Sequence, residues 1–257
     1  MKKQNNIFII LGFIAMVGLW ISTGLFFYVH YYSLKEELAI NDDFIDNSIS
    51  LDHLEDWTLD NVKVMAHIQI PTYNQAVSGY ILGCEGVSLY MALRGLGYIK
   101  DYSIDRFMAT MPQGKTPYEG YMGNSKIGHY GENTGKRTTI YPEALAKWAS
   151  SFARAEDLTG ASINKLKSEL DKGHVILAFV TGGWQDPRWK HYSWSKQDKG
   201  EVENNHCLCV VGYNSNGDFL VNDCHDGRYD GRQGEYWVSA EKFMNIYNAR
   251  NYAVSVY

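Results

Sequence analysis

The stretch Gly83-Cys84-Glu85-Gly86-Val87-Ser88-Leu89-Tyr90-Met91-Ala92-Leu93 constrains this chain more than any other. From Cys84 to about Leu96 it reads as a helix that is apolar nearly all round, and a helix without a polar face belongs in the middle of a fold. Ser88, Ala92 and Gly95 recur at four- and three-residue spacing and let neighbouring elements approach closely. A cysteine at the start of such a helix meets unpaired amide donors and the positive end of the helix dipole, which favour thiolate over thiol. Taken alone, Cys84 reads better as an inert core thiol, because free cysteines are among the most buried residues.

The second half of the chain supplies partners for a reactive thiol. His206 opens an apolar run, Cys207-Leu208-Cys209-Val210-Val211-Gly212-Tyr213, and Asn222-Asp223 close the next one. The two runs read as a β-hairpin around residues 214–218. Side chains alternate along a strand, so the parity of the loop decides which residue shares a face with His206: an even loop gives Asp223, an odd one Asn222. Gln75, nine residues before Cys84, is the natural side-chain amide to join a backbone N–H in holding an oxyanion. Nucleophile, base and orienter then follow in chain order as Cys84, His206 and, as the loop decides, Asp223 or Asn222.

The other elements fall around these residues. Val62 to Ile70 alternates as a strand before Pro71, and residues 112–139 read as a long polar, glycine-rich loop. Pro142 to Phe152 and Ser162 to Lys172 read as amphipathic helices, followed by a buried strand at Val175 to Val180. Residues 182–205 carry Trp184, Trp189, Tyr192 and Trp194 and fit either a lid or substrate wall, or a loop whose aromatics fold back on the sheet. A short strand at Glu235 to Val238, a helix capped by Ser239 and a final strand from Tyr252 complete the chain. Helices first and an antiparallel sheet later make an α+β layout, with the nucleophile on the helical half and the base on the sheet half.

At 257 residues and 45% hydrophobic content, one well-filled catalytic domain is expected, residues 62–257. A formal charge of −5 with no basic cluster argues against a nucleic-acid surface. Ahead of the domain, residues 7–29 form an uncharged apolar run of bilayer-spanning length after Lys2 and Lys3. The run continues into Tyr28, Tyr31 and Tyr32 without a small-residue cleavage site, so it reads as an uncleaved membrane anchor. The lysines place residues 1–6 in the cytoplasm, with the acidic stalk of residues 30–61 and the catalytic domain outside. Cys84, Cys207, Cys209 and Cys224 then lie where disulfides are permitted, and a bridge from Cys224 to Cys207 or Cys209 is left open by spacing alone. The C-x-C and C-H pairs formed by Cys207, Cys209, Cys224 and His225 are not a standard zinc spacing, so no metal and no cofactor are expected.

Together, Gln75, Gly83-Cys84-Glu85, Asp157-Leu158-Thr159-Gly160 before a helix ending at Gly173, His206 heading a strand into Val211-Gly212-Tyr213, and Val221-Asn222-Asp223 resemble the bacteriocin-processing, double-glycine-type cysteine peptidases. The resemblance is closer to their standalone C39-like branch, and it covers roughly residues 62 to 257. It implies a papain-like fold, Cys84 as nucleophile, His206 as base, Asp223 as orienter, Gln75 as oxyanion donor and a peptide or protein substrate. The chain departs from that branch by continuing Asp223 with Cys224 where proline is usual, and by a longer, more aromatic segment around Trp184 to Trp194. Cell-wall amidases and endopeptidases use a similar thiol and histidine, and a binding or immunity-like module that keeps the fold without catalysis is a further alternative.

Overall fold

A computed structural model of the chain describes residues 62–126, 138–225, 227 and 231–257. The expected membrane anchor and acidic stalk, and part of the long loop, lie outside the described residues. Among the described residues no helix is long and apolar enough to cross a bilayer. Residues 62–257 form one unit. Its elements in order are β1 (Val64–His67), α1 (Cys84–Gly95), α2 (Ile104–Met108), α3 (Pro142–Ala149), β2 (Ala155–Asp157), α4 (Ile163–Asp171), β3 (Val175–Thr181), β4 (Trp189–Lys190), β5 (Glu201–Val202), β6 (Asn205–Asn214), β7 (Phe219–Asp223), β8 (Gly234–Val238), α5 (Ala240–Tyr247) and β9 (Ala253–Val256).

The main sheet runs β2-β9-β3-β6-β7-β8, with β1 added to β6. Every ladder in it is antiparallel. β3 and β6 are its centre, and all seven residues of β3 are buried because both faces of the sheet are covered. On one face Val175, Leu177, Phe179, Cys207, Cys209 and Val211 pack with α1 and α3. On the other, Ile176, Ala178, Val180, Leu208 and Val210 pack with α4 and α5. Alternation along the strands therefore sorts each residue to a layer. The helices start where their caps say: the side chains of Ser103, Ser162 and Ser239 accept from the backbone N–H groups of Arg106, Lys165 and Lys242. In α1, Cys84 through Leu93 are all buried, as a helix without a polar face requires.

The β6–β7 hairpin corrects the simple parity argument. Tyr213 pairs with Phe219 and Gly212 with Leu220, an odd loop, which by itself would bring Asn222 to the face of His206. A bulge between Val210 and Gly212 then inserts one residue in β6, so that Val210 pairs with Val221 and Cys209 with Asn222. The extra residue reverses the parity and puts Asp223 on the face of His206. At this bulge Gly212 also meets its antiparallel neighbour β1 closely: a Cβ there would lie 2.2 Å from the Ala66 carbonyl oxygen.

The aromatic segment also resolves. Trp184 is buried and donates its indole N–H to the Tyr236 hydroxyl at 3.0 Å. Tyr192 stacks on Trp194, which in turn meets Tyr118 and Tyr141. The buried Glu201 accepts hydroxyl bonds from Tyr118 at 3.1 Å and Tyr141 at 2.7 Å. Trp184 thus folds into the domain, while Tyr192 and Trp194 lie half-buried against it.

Because the bulge and the close approach of β1 meet at Gly212, Gly212→Ala is expected to lower unfolding free energy by about 1 to 3 kcal/mol through overpacking. Urea denaturation of the variant beside wild type checks this, and an unchanged midpoint contradicts it.

Candidate active site

The sheet gathers His206 and Asp223 where the β6–β7 ladder ends. His206 Nε2 donates to Asp223 Oδ1 at 2.6 Å, and both residues are buried. Asp223 is further held by the His225 backbone N–H at 2.8 Å and by the Tyr236 hydroxyl, which reaches Oδ2 at 2.9 Å. Burial alone would raise the Asp223 carboxyl, but the charge that His206 carries once protonated and these donors outweigh it and hold the group below its ordinary range. The same contact raises the Tyr236 hydroxyl, mainly through burial and next through the Asp223 charge, so it stays a donor. The ring of His225 meets His206 edge to face at 5.4 Å.

Cys84 lies at the first turn of α1, 7% exposed. Its thiol lies 3.4 Å from Glu85 Oε2, and it takes a backbone hydrogen bond from Cys207, the residue after His206. The expectation of a resting thiolate is corrected here. Burial pushes the Cys84 thiol up, and the neighbouring Glu85 carboxylate adds to that, so the sulfur rests protonated. Gln75 is buried upstream of α1: its Nε2 donates to the Ile81 carbonyl at 2.6 Å, and its Oε1 lies 3.2 Å from Cys224 Sγ. Cys224 Sγ is also 3.6 Å from the Cys84 carbonyl oxygen. Asp223 and Cys224 thus face opposite ways, one to the base and the other to the oxyanion candidate and the nucleophile's backbone.

The four cysteines are free thiols, so none of the bridges left open by spacing is formed. Cys209 donates to the Ser88 carbonyl at 3.2 Å, and the Ser88 hydroxyl donates to the Cys207 carbonyl at 3.1 Å. Among the described residues, the one cluster with ligand atoms close enough to share a cation is His206, Asp223 and Cys224, within 4.8 Å of one another. It contains the His206–Asp223 hydrogen bond, and burial pushes the Cys224 thiol up, so the sulfur is protonated and not a ready ligand.

Sequence reasoning missed Tyr236, Asn205 and Thr139. Asn205 Nδ2 donates to Glu85 Oε1 at 3.1 Å, and the Thr139 hydroxyl donates to the same oxygen. Asn205 and Glu85 carry a signal in hindsight, since each adjoins a predicted site residue. Tyr236 carries none, because only the β7–β8 register brings it to Asp223.

A buried thiol at a helix start, a carboxylate-held imidazole on the adjoining strand and a buried amide upstream of the helix lie on one α+β scaffold. Residues 67–255 match the model of the Peptidase_C39 like family, and the chain belongs to that family. It is 28% identical over 154 residues, 57% of its length, to the uncharacterized protein YvpB of Bacillus subtilis (strain 168), and that match spans 60% of the relative's length. The crystal structure of a candidate C39-like peptidase from Bacillus anthracis superposes with a TM-score of 0.60. At 19% identity over 77% of this chain and 98% of that one, the superposition shows a common fold.

The lowered Asp223 carboxyl sets an acid-side prediction. A group held below its unfolded value contributes stability that is complete above the ordinary carboxylate range and lost as pH falls through the folded value. Asp223→Asn should therefore be less stable than wild type at neutral pH and lose less stability between about pH 5 and pH 2. Parallel slopes of the two proteins in denaturation across that window contradict the assignment.

Proposed function

We propose that this chain is a membrane-anchored cysteine peptidase acting outside the cytoplasm. His206, with Nε2 occupied by Asp223, takes the Cys84 proton at its other nitrogen when a peptide carbonyl arrives. The sulfur adds to the carbonyl carbon, and the resulting oxyanion is met by the Cys84 backbone N–H and the second hydrogen of Gln75 Nε2. Collapse expels the amine, which receives the proton from His206, and water drawn through the same imidazole releases the acid. Asp223 holds the Nε2–H tautomer and stabilises the imidazolium.

The observation that carries this reading is the 2.6 Å His206–Asp223 bond directly beside the strand residue whose backbone meets the Cys84 thiol. Burial of the thiol fits a mechanism in which only a small thiolate population exists at rest, with His206 accepting its proton, and grows when substrate is bound. The apolar run at residues 7–29 after Lys2 and Lys3 supports an anchor with the N-terminus in the cytoplasm.

The test is mass spectrometry of the full chain in detergent after a brief pulse of limiting iodoacetamide, beside His206→Ala and Cys84→Ala. Labelling of Cys84 at pH 7 should fall about tenfold in His206→Ala. Cleavage of a mixed peptide pool should vanish in Cys84→Ala, and the chain should remain in carbonate-washed membranes before detergent is added. Labelling that ignores His206, with no cleavage by wild type, would mean that the fold serves binding and not hydrolysis.

A further inference from the structure

Glu85 is wholly buried, and its two carboxylate oxygens are shared among three segments. Oε1 accepts from Asn205 Nδ2 at 3.1 Å and from the Thr139 hydroxyl, and Asn205 Nδ2 also lies 3.2 Å from that hydroxyl. Oε2 faces the Cys84 sulfur at 3.4 Å. Glu85 directly follows the candidate nucleophile, and Asn205 directly precedes the candidate base. One side-chain bond thus ties the first turn of α1 to the first residue of β6, while Thr139 adds the segment leading into α3.

We infer that Glu85 is a positioning residue for this site: it sets the register between the helix carrying Cys84 and the strand carrying His206, and it accepts the Cys84 thiol hydrogen in the resting state. The inference rests on the peptidase reading for what Cys84 and His206 do. A glutamine could keep the Oε1 bonds to Asn205 and Thr139, but it would turn a donor toward the sulfur. The carboxylate is the form that accepts at both oxygens and places negative charge against a developing thiolate. Cys207 on β6 and Cys224 after β7 also lie near this sulfur, with Gln75 behind Cys224 and with His206 and Asp223 adjoining Cys207 and Cys224 in the chain. The test leaves all of these in place.

The experiment follows the rate of Cys84 alkylation by iodoacetamide from pH 5 to pH 10 in the full chain, with labelling of Cys207, Cys209 and Cys224 as the control for access. In Glu85→Gln the labelling midpoint should move down by about one pH unit or more, with an unchanged melting temperature. In Thr139→Val the carboxylate loses a donor and draws the thiol hydrogen more strongly, so the midpoint should move up. In Asn205→Ala the difference in labelling rate between the His206 and His206→Ala backgrounds should shrink, because the strand start is released. A purely structural Glu85 would shift melting temperature and leave both midpoints at the wild-type value, which overturns the inference. Should Glu85→Gln fail to fold, Thr139→Val decides it alone. The peptidase reading fails separately, through labelling that ignores His206 while the midpoints still respond to Glu85 and Thr139.

Discussion

A carboxylate taken out of water stays charged only if its lone pairs are filled, and Asp223 fills them from three directions. His206 comes from β6, Tyr236 from β8, and the His225 N–H from the turn that leaves β7. Each bond requires the β6–β7–β8 register to be what it is. The bulge beside Gly212 fixes that register, and at Gly212 the paired strand β1 approaches so closely that no side chain can stand there. The charge arrangement of the site is thus set by backbone geometry some residues away, at the far end of the same strand.

The nucleophile side obeys a different economy. α1 presents Cys84 and Ser88 to a layer of Cys207, Cys209 and Cys224, and the polar atoms there are satisfied by backbone carbonyls of the opposing element. Small thiols and a hydroxyl let the helix lie close to the sheet, which a larger residue at any of these positions would prevent. Burial keeps the thiols of this layer protonated, Cys84 included. In the proposed mechanism, proton transfer to an imidazole already held by Asp223 is then the step that makes the sulfur nucleophilic.

Much of this was legible in the sequence. The buried helix from Cys84, the serine caps before α4 and α5, the central strands and the β6–β7 hairpin follow from apolar periodicity and turn residues, and the structure places them there. The short α2 and the two-residue strands β4 and β5 escaped because so few residues carry no period. Asp223 was legible as a candidate, but its pairing with His206 was conditional on a loop parity that a single bulge reverses, and bulges leave little trace beyond a glycine. The resting thiolate expected from the helix dipole was wrong because the dipole argument omits burial and the adjacent Glu85. The aromatic segment was ambiguous for a related reason: composition does not say whether Trp184 and Trp194 meet solvent or the Tyr236 hydroxyl and the Tyr141 ring.

The central claim of the proposed mechanism is that Asp223 holds His206 in one tautomer, with Nε2 protonated and Nδ1 left to accept a proton. Nitrogen NMR of the full chain with labelled histidine, recorded for wild type and Asp223→Asn, reads this directly. The account predicts a single Nε2–H tautomer for His206 in wild type near neutral pH and a mixture of tautomers once Asp223 is replaced. A His206 signal that reports Nδ1–H in wild type, or that is the same in both proteins, would contradict it.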